Sequence, residues 1–377
     1  MKMIVWVILT LSFTIGCHTR HETWHKSHAP NGPSDDSLLT SLEPPPVDTI
    51  QPQTISHQPV NVTPFPPVAP RDSLPSLPTD LTLFAINTNS WHPQGKYYFI
   101  SISEVYTIGE NPKLDQLILE ERPSDTTLAF LLQDSLKNAI LETINSSPSD
   151  SLFLYSTYRD TFLAFPLAQL DLHAIADQYA TERTSHDLGD YHLAFTVAPS
   201  HIQYHGDEFW NYWASIGTES PFQTGQRVQL AFQPIDSAQF PYHHLPAQDS
   251  LWLATYAARY PVEVYRDQNS PHDYYVIEFR AKSQSLPSAR YMLILDQSTD
   301  TLLFRSAAGY SENAPFEYLS VPAKAAQGHS GYQVSGKIFK DYPPILVGFG
   351  RTYYTCPSVT LLGYPRRHIP ILCDNRE

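Results

Sequence analysis

The sequence predicts an α+β protein with mainly antiparallel sheets and two longer helices, preceded by a disordered N-terminal tether. Three observations predict this class. An apolar segment opens the chain of 377 residues. A proline-rich stretch without a hydrophobic period then runs to residue 80, and proline prevents both helices and sheet ladders from propagating. Beyond residue 80, short runs of aromatic and β-branched residues alternate with stretches of helical spacing.

Residues 1–16 are expected to be a signal peptide. Lys2 supplies a positive start, and residues 3–16 are almost entirely apolar. A segment of this length is too short for a stable membrane span, but it suits the apolar core of an export signal. The sequence therefore predicts that the protein leaves the cytoplasm.

The tetrad Thr14-Ile15-Gly16-Cys17 closes this segment. It resembles the lipobox of bacterial lipoproteins in its looser Bacteroidetes form, in which the usual first-position Leu is absent. The resemblance implies that Cys17 is lipidated, which would anchor the protein to a membrane.

The residues after Cys17 indicate the membrane. His18 follows Cys17 directly, whereas an Asp at this position would resemble an inner-membrane retention signal. Residues 18–21 also lack the acidic run linked to surface export. We therefore expect an outer-membrane lipoprotein that faces the periplasm. An ordinary secretory peptide with an incidental cysteine is the alternative.

Residues 17–80 are expected to form the disordered tether. Thirteen of the 33 prolines of the chain lie here, and Ser, Thr and Asp fill the gaps. The stretch His21-Glu22-Thr23-Trp24-His25 matches the zinc-protease pattern formally. However, it has no surrounding core that could supply a cleft and a third ligand. We interpret it as polar linker, with loose metal binding by the local histidines as the alternative.

The motif of Asp, Ser or Thr, and then a small aliphatic residue or Thr occurs nine times. It resembles the O-glycosylation acceptor of Bacteroidetes envelope proteins. The resemblance implies glycosylation of the three tether copies, at Ser37, Thr49 and Ser73. For the copies beyond residue 80 an alternative stays open, because Asp-Ser and Asp-Thr also favour helix starts and turns.

Charge and cysteine content limit the partners and the compartment. The net charge of -14 argues against nucleic acid as a partner. Apart from Cys17, the chain has only Cys356 and Cys373. In an exported protein this pair predicts a disulfide, and a loop of this length stabilises the fold by roughly 3 kcal/mol. Two free buried thiols are the alternative.

The folded part is expected to consist of residues 81–246, an α+β domain, and residues 247–377, a strand-rich subdomain. The boundary is weak, and one domain remains the alternative. Apolar spacing predicts helices over residues 125–145, 167–184 and 251–260. Strands are predicted over residues 82–86, 97–103, 152–155, 161–165, 191–197, 201–205, 227–232, 262–265, 274–279, 290–295, 301–305, 332–339 and 345–354.

The aromatic stretch from Phe209 to Trp213 is the strongest candidate for a binding surface. Trp210, Tyr212 and Trp213 combine large apolar faces with polar groups, which suits a sugar ring or a protein partner. Packing of these rings in the core is the favoured alternative.

Two groups of histidines and carboxylates are weak candidates for a metal or catalytic site. His201, His205, Asp207 and Glu208 form one group, and residues 186–192 form the other. Strand geometry would hold His201 and His205 too far apart to share one ion, and the second group has the composition of a surface turn. The sequence therefore indicates no catalytic residues, no cofactor and no metal site.

These observations favour a membrane-tethered envelope lipoprotein that serves as a non-catalytic binding or structural module. The membrane is its partner through the lipid anchor, and an envelope protein or a glycan is the expected second partner. The alternative is a secreted hydrolase that acts on a cell-envelope or polysaccharide substrate. Such an enzyme would assemble its site from distant residues between His186 and Glu208.

Overall fold

The computed structural model describes residues 81–89, 97–124, 127–176, 188–202, 212–267, 270–282, 284–310, 315–325, 331–350, 356–363 and 368–373. The predicted signal peptide, Cys17, the predicted tether and its three predicted glycosylation sites lie outside these residues. No helix in the described ranges is both long enough and apolar enough to cross a membrane.

The described residues form nineteen strands and four α-helices. The strands are β1 (Leu83–Ala85), β2 (Asn87–Asn89), β3 (Tyr97–Ser101), β4 (Ala129–Leu131), β5 (Ser151–Ser156), β6 (Thr161–Pro166), β7 (Leu172–Ala176), β8 (Tyr191–Val197), β9 (Tyr212–Gly217), β10 (Arg227–Gln229), β11 (Phe232–Ile235), β12 (Val262–Asp267), β13 (His272–Phe279), β14 (Ala289–Asp296), β15 (Thr301–Gly309), β16 (Val334–Gly336), β17 (Ile345–Val347), β18 (Ser358–Leu361) and β19 (His368–Leu372). The helices are α1 (Pro112–Glu120), α2 (Asp134–Thr143), α3 (Ala247–Ala257) and α4 (Pro322–Ala325).

Three sheets organise these strands, and the predicted α+β class with mainly antiparallel sheets is confirmed. The strand orders are β10-β16-β17-β18-β19-β1-β9-β5-β6, β11-β12-β13-β14-β15 and β2-β3-β8-β7-β4. Among the described pairs, β1 with β19 is the parallel one. The nine-stranded sheet takes strands from both sides of residue 246, so the two halves of the folded part share one sheet.

The five-stranded sheet β11–β15 buries both of its faces. Along β13, Tyr274 and Val276 face one apolar cluster, which also contains Leu346. Tyr275 and Ile277 face the opposite cluster, to which α3 contributes Leu253. This two-residue alternation is what a strand imposes on its side chains. It places the start of β13 beside the nine-stranded sheet.

The helix predicted over residues 167–184 is wrong. Leu167–Gln169 is a short 3-10 turn, and β7 follows it; residues 177–184 lie outside the described ranges. β7 pairs with β4 on one side and with β8 on the other. A central strand that is buried on both faces has an apolar run which periodicity alone cannot distinguish from a buried helix.

The helix predicted over residues 125–145 is too long. Its first part forms β4, where Phe130 is buried and Leu131 is exposed, and only α2 is helical. Conversely, the sequence analysis missed α1. Asn111 caps this helix by accepting a hydrogen bond from the Leu114 amide, and Pro112 occupies its first turn. The predicted helix over residues 251–260 corresponds to α3.

Candidate ligand-binding cleft

A cleft of about 230 Å³ lies where β10, the end of β16 and the start of β13 meet. Its walls come from residues 225–228, from Pro271, His272 and Tyr274, and from residues 335–337. Arg227 pairs with Gly336 and Val228 with Ser335 in the antiparallel register of β10 and β16. Three segments far apart in sequence therefore line one concave site.

Gly336 allows the two walls from β10 and β16 to approach each other. Its φ is +129°, a conformation that L residues rarely adopt. A Cβ atom at this position would collide with the carbonyl oxygen of Gln226. The close approach of the backbones thus requires glycine here.

Two cations line the cleft, and neither forms an ion pair with a described residue. Neither Arg227 nor Lys337 has an ion-pair partner within the described ranges, and no Asp or Glu belongs to the lining. This is unusual for a chain with a net charge of -14. The cleft is therefore a positively charged site on an acidic protein.

Arg227 is held in place by neutral acceptors. Its Nη1 donates to the carbonyl oxygen of Thr157 at 3.0 Å and to the hydroxyl of Tyr332 at 2.5 Å. Tyr332 in turn donates to the same carbonyl at 2.8 Å. The Nε atom of Arg227 is buried and has no hydrogen-bond partner in the part of the chain that the structure describes. A buried donor of this kind costs free energy until an acceptor reaches it.

Two buried hydroxyl groups form a hydrogen-bonded chain beside these cations. Tyr274 donates to Ser335 at 2.6 Å, and Ser335 donates to the carbonyl oxygen of Ile345 at 2.6 Å. Burial raises the pKa of Tyr274 well above its usual value, and the carboxylate of Asp267 adds to the shift. Tyr274 therefore keeps its proton at neutral pH and serves as a hydrogen-bond donor.

His272 completes the polar lining. Burial lowers its pKa, while the Asp296 carboxylate, 4.0 Å from Nδ1, opposes the shift. Its Nδ1 atom is buried and makes no hydrogen bond to a described residue. At neutral pH the imidazole is uncharged, so the positive charge of the cleft comes from Arg227 and Lys337.

An aromatic face lies next to the cleft. Tyr158, in the turn between β5 and β6, is 50% exposed, and its ring centroid lies 5.9 Å from that of Tyr332. Asp160 fastens this turn to the cleft wall, because its carboxylate accepts hydrogen bonds from the Gly225 amide and from the Tyr155 hydroxyl, both at 2.8 Å. The exposed Tyr158 ring thus lies beside the ring of Tyr332, whose hydroxyl accepts a hydrogen bond from Arg227.

The aromatic residues singled out in the sequence lie elsewhere. Trp213 is 1% exposed in β9, and its ring packs against those of Tyr155 and Phe339. Tyr212 is also buried, and Trp210 lies outside the described residues. Tyr212 and Trp213 therefore pack in the core and present no face to a ligand in this structure.

Of the remaining predicted site residues, some are described by the structure and others lie outside the described ranges. Cys356 and Cys373 form the predicted disulfide, which is confirmed. Cys17, Ser37, Thr49 and Ser73 lie outside the described residues.

The structure describes few members of the two histidine groups. His201 is exposed in a 3-10 turn and contacts the Phe165 ring. His192 is buried and packs near Phe99. His186, Asp187, His205, Asp207 and Glu208 lie outside the described residues. The hydrolase placement between His186 and Glu208 therefore stays a prediction.

Three of the six Asp-Ser and Asp-Thr copies beyond residue 80 lie at a helix start or in a turn. Asp134 is the first residue of α2, and Asp236 caps a 3-10 turn by accepting from the Ala238 amide. Asp300 lies in the β14–β15 turn with φ +53°. Each of these copies serves a helix start or a turn, as the alternative interpretation expected.

The sequence analysis missed every residue of the cleft. The available signal was an arginine at the start of an apolar strand and a glycine inside a second strand, and neither is specific. No protein-family model, curated protein or solved structure matches this chain.

Proposed function

We propose that this protein is a membrane-tethered envelope lipoprotein whose folded part binds an acidic sugar residue of an envelope glycan, without catalysis. The observation that carries the proposal is a cleft lined by Arg227 and Lys337, which have no ion-pair partner and no acidic neighbour in the lining among the described residues. The lipid anchor at Cys17 would hold this cleft near its partner.

The chemistry of the cleft favours a carboxylate ligand. A guanidinium group binds a carboxylate through charge-assisted hydrogen bonds. Lys337 is exposed at the rim, where it adds a second positive charge. An acidic ligand would therefore neutralise the two positive charges of the cleft at once.

The remaining lining suits a sugar ring. Hydroxyl groups and an imidazole can exchange hydrogen bonds with sugar hydroxyls. The exposed ring of Tyr158 offers an apolar face of the kind on which sugars stack. A volume of about 230 Å³ lies below the range of roughly 300–1,000 Å³ typical of drug-sized ligands, which favours a single residue.

Binding is better supported than hydrolysis. Glycoside hydrolysis commonly uses two carboxyl groups on either side of the scissile bond. The described residues that line this cleft include neither Asp nor Glu. The cleft therefore contains groups that recognise an anion, whereas a hydrolase would have to place its site elsewhere.

The test uses the full lipidated chain in detergent micelles and isothermal titration calorimetry. The probes are a galacturonic acid trisaccharide and the neutral galactose trisaccharide. We expect binding of the acidic probe only, with an affinity that weakens as salt increases. Lys337→Ala should weaken binding several-fold, and Arg227→Gln at least tenfold. Lys340→Ala, which removes the same charge from an exposed position outside the lining, should leave binding unchanged.

Equal affinity for both trisaccharides would overturn the role of the cations. So would an unchanged affinity in Lys337→Ala, because that exposed side chain can be removed without disturbing the core. The absence of binding by either probe would contradict the proposed ligand class.

A further inference from the structure

Three metal-ligand side chains meet on the surface at a second place. His243 and His244 lie in the 3-10 turn Tyr242–His244, and Asp300 lies in the turn between β14 and β15. The two imidazoles and the carboxylate each place one ligand atom within 4.8 Å of the other two. The sequence separation between His244 and Asp300 is 56 residues.

Each oxygen of one carboxylate faces one imidazole. Nε2 of His244 lies 3.1 Å from Oδ1 of Asp300, and Nε2 of His243 lies 3.9 Å from Oδ2. In a tetrahedral zinc site the ligand atoms are about 3.3 Å apart. The first distance already meets this requirement, and one ligand atom from each of the three residues lies within 4.8 Å of the others, so a small rotation of His243 would bring its nitrogen into range. His243 is free to rotate because its side chain is 70% exposed.

The segments that carry these ligands are anchored. Phe240, three residues before His243, is buried in the core and packs against the rings of Tyr275 and Tyr291. The amide of His244 donates to the carbonyl oxygen of Pro241 at 3.1 Å. The His244 side chain is only 17% exposed. The turn therefore holds the His244 imidazole in place and fixes the backbone of His243 beside it.

The Asp300 turn is held just as firmly. The amide of Asp300 donates to the carbonyl oxygen of Asp296 at 2.8 Å. The carboxylate of Asp296 accepts from the amides of Ser298 and Thr299 and from the Ser298 hydroxyl. These bonds fix the backbone of Asp300 opposite the two histidines, so little backbone entropy remains to be lost when a ligand binds.

From this convergence we infer that His243, His244 and Asp300 form a surface site for a divalent transition-metal ion. Two imidazoles and one carboxylate suit Zn²⁺, Cu²⁺ and Ni²⁺, whereas Ca²⁺ and Mg²⁺ prefer oxygen ligands throughout. The ion would link the 3-10 turn to the β14–β15 turn. Metal binding should therefore stabilise the folded part, a consequence that is independent of the glycan proposal.

The test measures the melting temperature of the full lipidated chain in detergent by calorimetry, with and without Zn²⁺. At a free Zn²⁺ concentration roughly a hundredfold above Kd, we expect a rise of about 4 °C. His243→Ala and Asp300→Asn should each abolish most of that rise. Asn tolerates the left-handed backbone of Asp300, so the second variant should fold normally.

Matched controls separate this site from other metal ligands. Asp341→Asn makes the same change at an exposed residue with a similar φ of +59°, and it should keep the full rise. The double variant His21→Ala/His25→Ala removes tether histidines and should also keep it. No rise in the unmodified protein would overturn the inference. A full rise in both His243→Ala and Asp300→Asn, or its loss in the tether variant alone, would do the same.

Discussion

Arg290 and Glu278 form a buried ion pair across the β13–β14 ladder. They occupy directly opposed positions, each is 2% exposed, and Nη2 of Arg290 lies 2.5 Å from Oε1 of Glu278. Arg290 also donates to the carbonyl oxygens of Phe349 and Glu317, both at 2.6 Å. The second carboxylate oxygen of Glu278 accepts from Arg280 at 2.7 Å. Arg290 thus links the β11–β15 sheet to the segments that contain Glu317 and Phe349.

Removal of one partner should destabilise the fold strongly. Arg290→Met leaves the buried carboxylate with Arg280 alone and leaves two carbonyl oxygens without their donor. We expect the free energy of unfolding to fall by about 3–5 kcal/mol, measured by urea denaturation. Arg305→Met, which breaks the partly exposed pair with Asp249, should cost less than about 1 kcal/mol. Equal losses in the two variants would contradict this prediction.

Loss of the disulfide should cost a moderate amount of stability. The bond between Cys356 and Cys373 closes a loop with a sequence separation of 17 residues. A loop of this size restricts the unfolded chain by about 3 kcal/mol. Cys356→Ala/Cys373→Ala should therefore unfold at a lower urea concentration than the oxidised protein. The same shift should follow reduction of the unmodified chain, and a reductant should not affect the double variant. An unchanged midpoint in the variant would show that the bond contributes nothing.

His272 should make stability depend on pH. Burial lowers its pKa in the folded protein, whereas the unfolded value is about 6.5. Below that pH the unfolded chain binds a proton that the folded protein resists. The free energy of unfolding is thus highest above about pH 6.5, where His272 is uncharged in both states, and it decreases as the pH falls below that value.

Urea denaturation at neutral and at mildly acidic pH tests this dependence. His272→Gln should lose less stability between the two conditions than the unmodified protein does. The control is His368→Gln at an exposed strand position, which should keep the full difference. An identical pH dependence in His272→Gln and the unmodified protein would exclude this role.

Replacement of the proposed lipidated cysteine should release the protein from the membrane. Cys17→Ser removes the thiol that the lipobox resemblance marks for acylation. We expect the variant in the soluble fraction after cell lysis and without incorporation of a labelled fatty acid. Cys356→Ser keeps Cys17 and should remain membrane-bound and labelled. Membrane retention of Cys17→Ser would contradict the proposed anchor.

Local patterns in the sequence predicted a large part of the fold. Tyr191–Val197 coincides with β8, and residues 298–300, whose Ser, Thr and Asp favour turns, join β14 to β15. In these segments the local preference of the sequence for a strand or a turn agrees with the tertiary structure, so the local pattern was sufficient for the prediction. The disulfide followed from cysteine count and compartment alone.

Other elements depended on partners that no local pattern identifies. β7 became a strand because β4 and β8 bond to it on both sides, although its leucine spacing also fits a helix. Trp213 entered the core because rings from β5 and from the segment after β16 meet it there.

The sequence by itself determined the class of the fold and the bond between Cys356 and Cys373, because both depend on residue types and local spacing. Only the tertiary structure decided where ligands are expected to bind. Arg227 meets Tyr332 across a separation of 105 residues. His244 meets Asp300 only because a 3-10 turn packs beside the end of the β14–β15 ladder. Contacts of this range are set by strand order and register, which depend on the packing of the whole sheet rather than on any single segment.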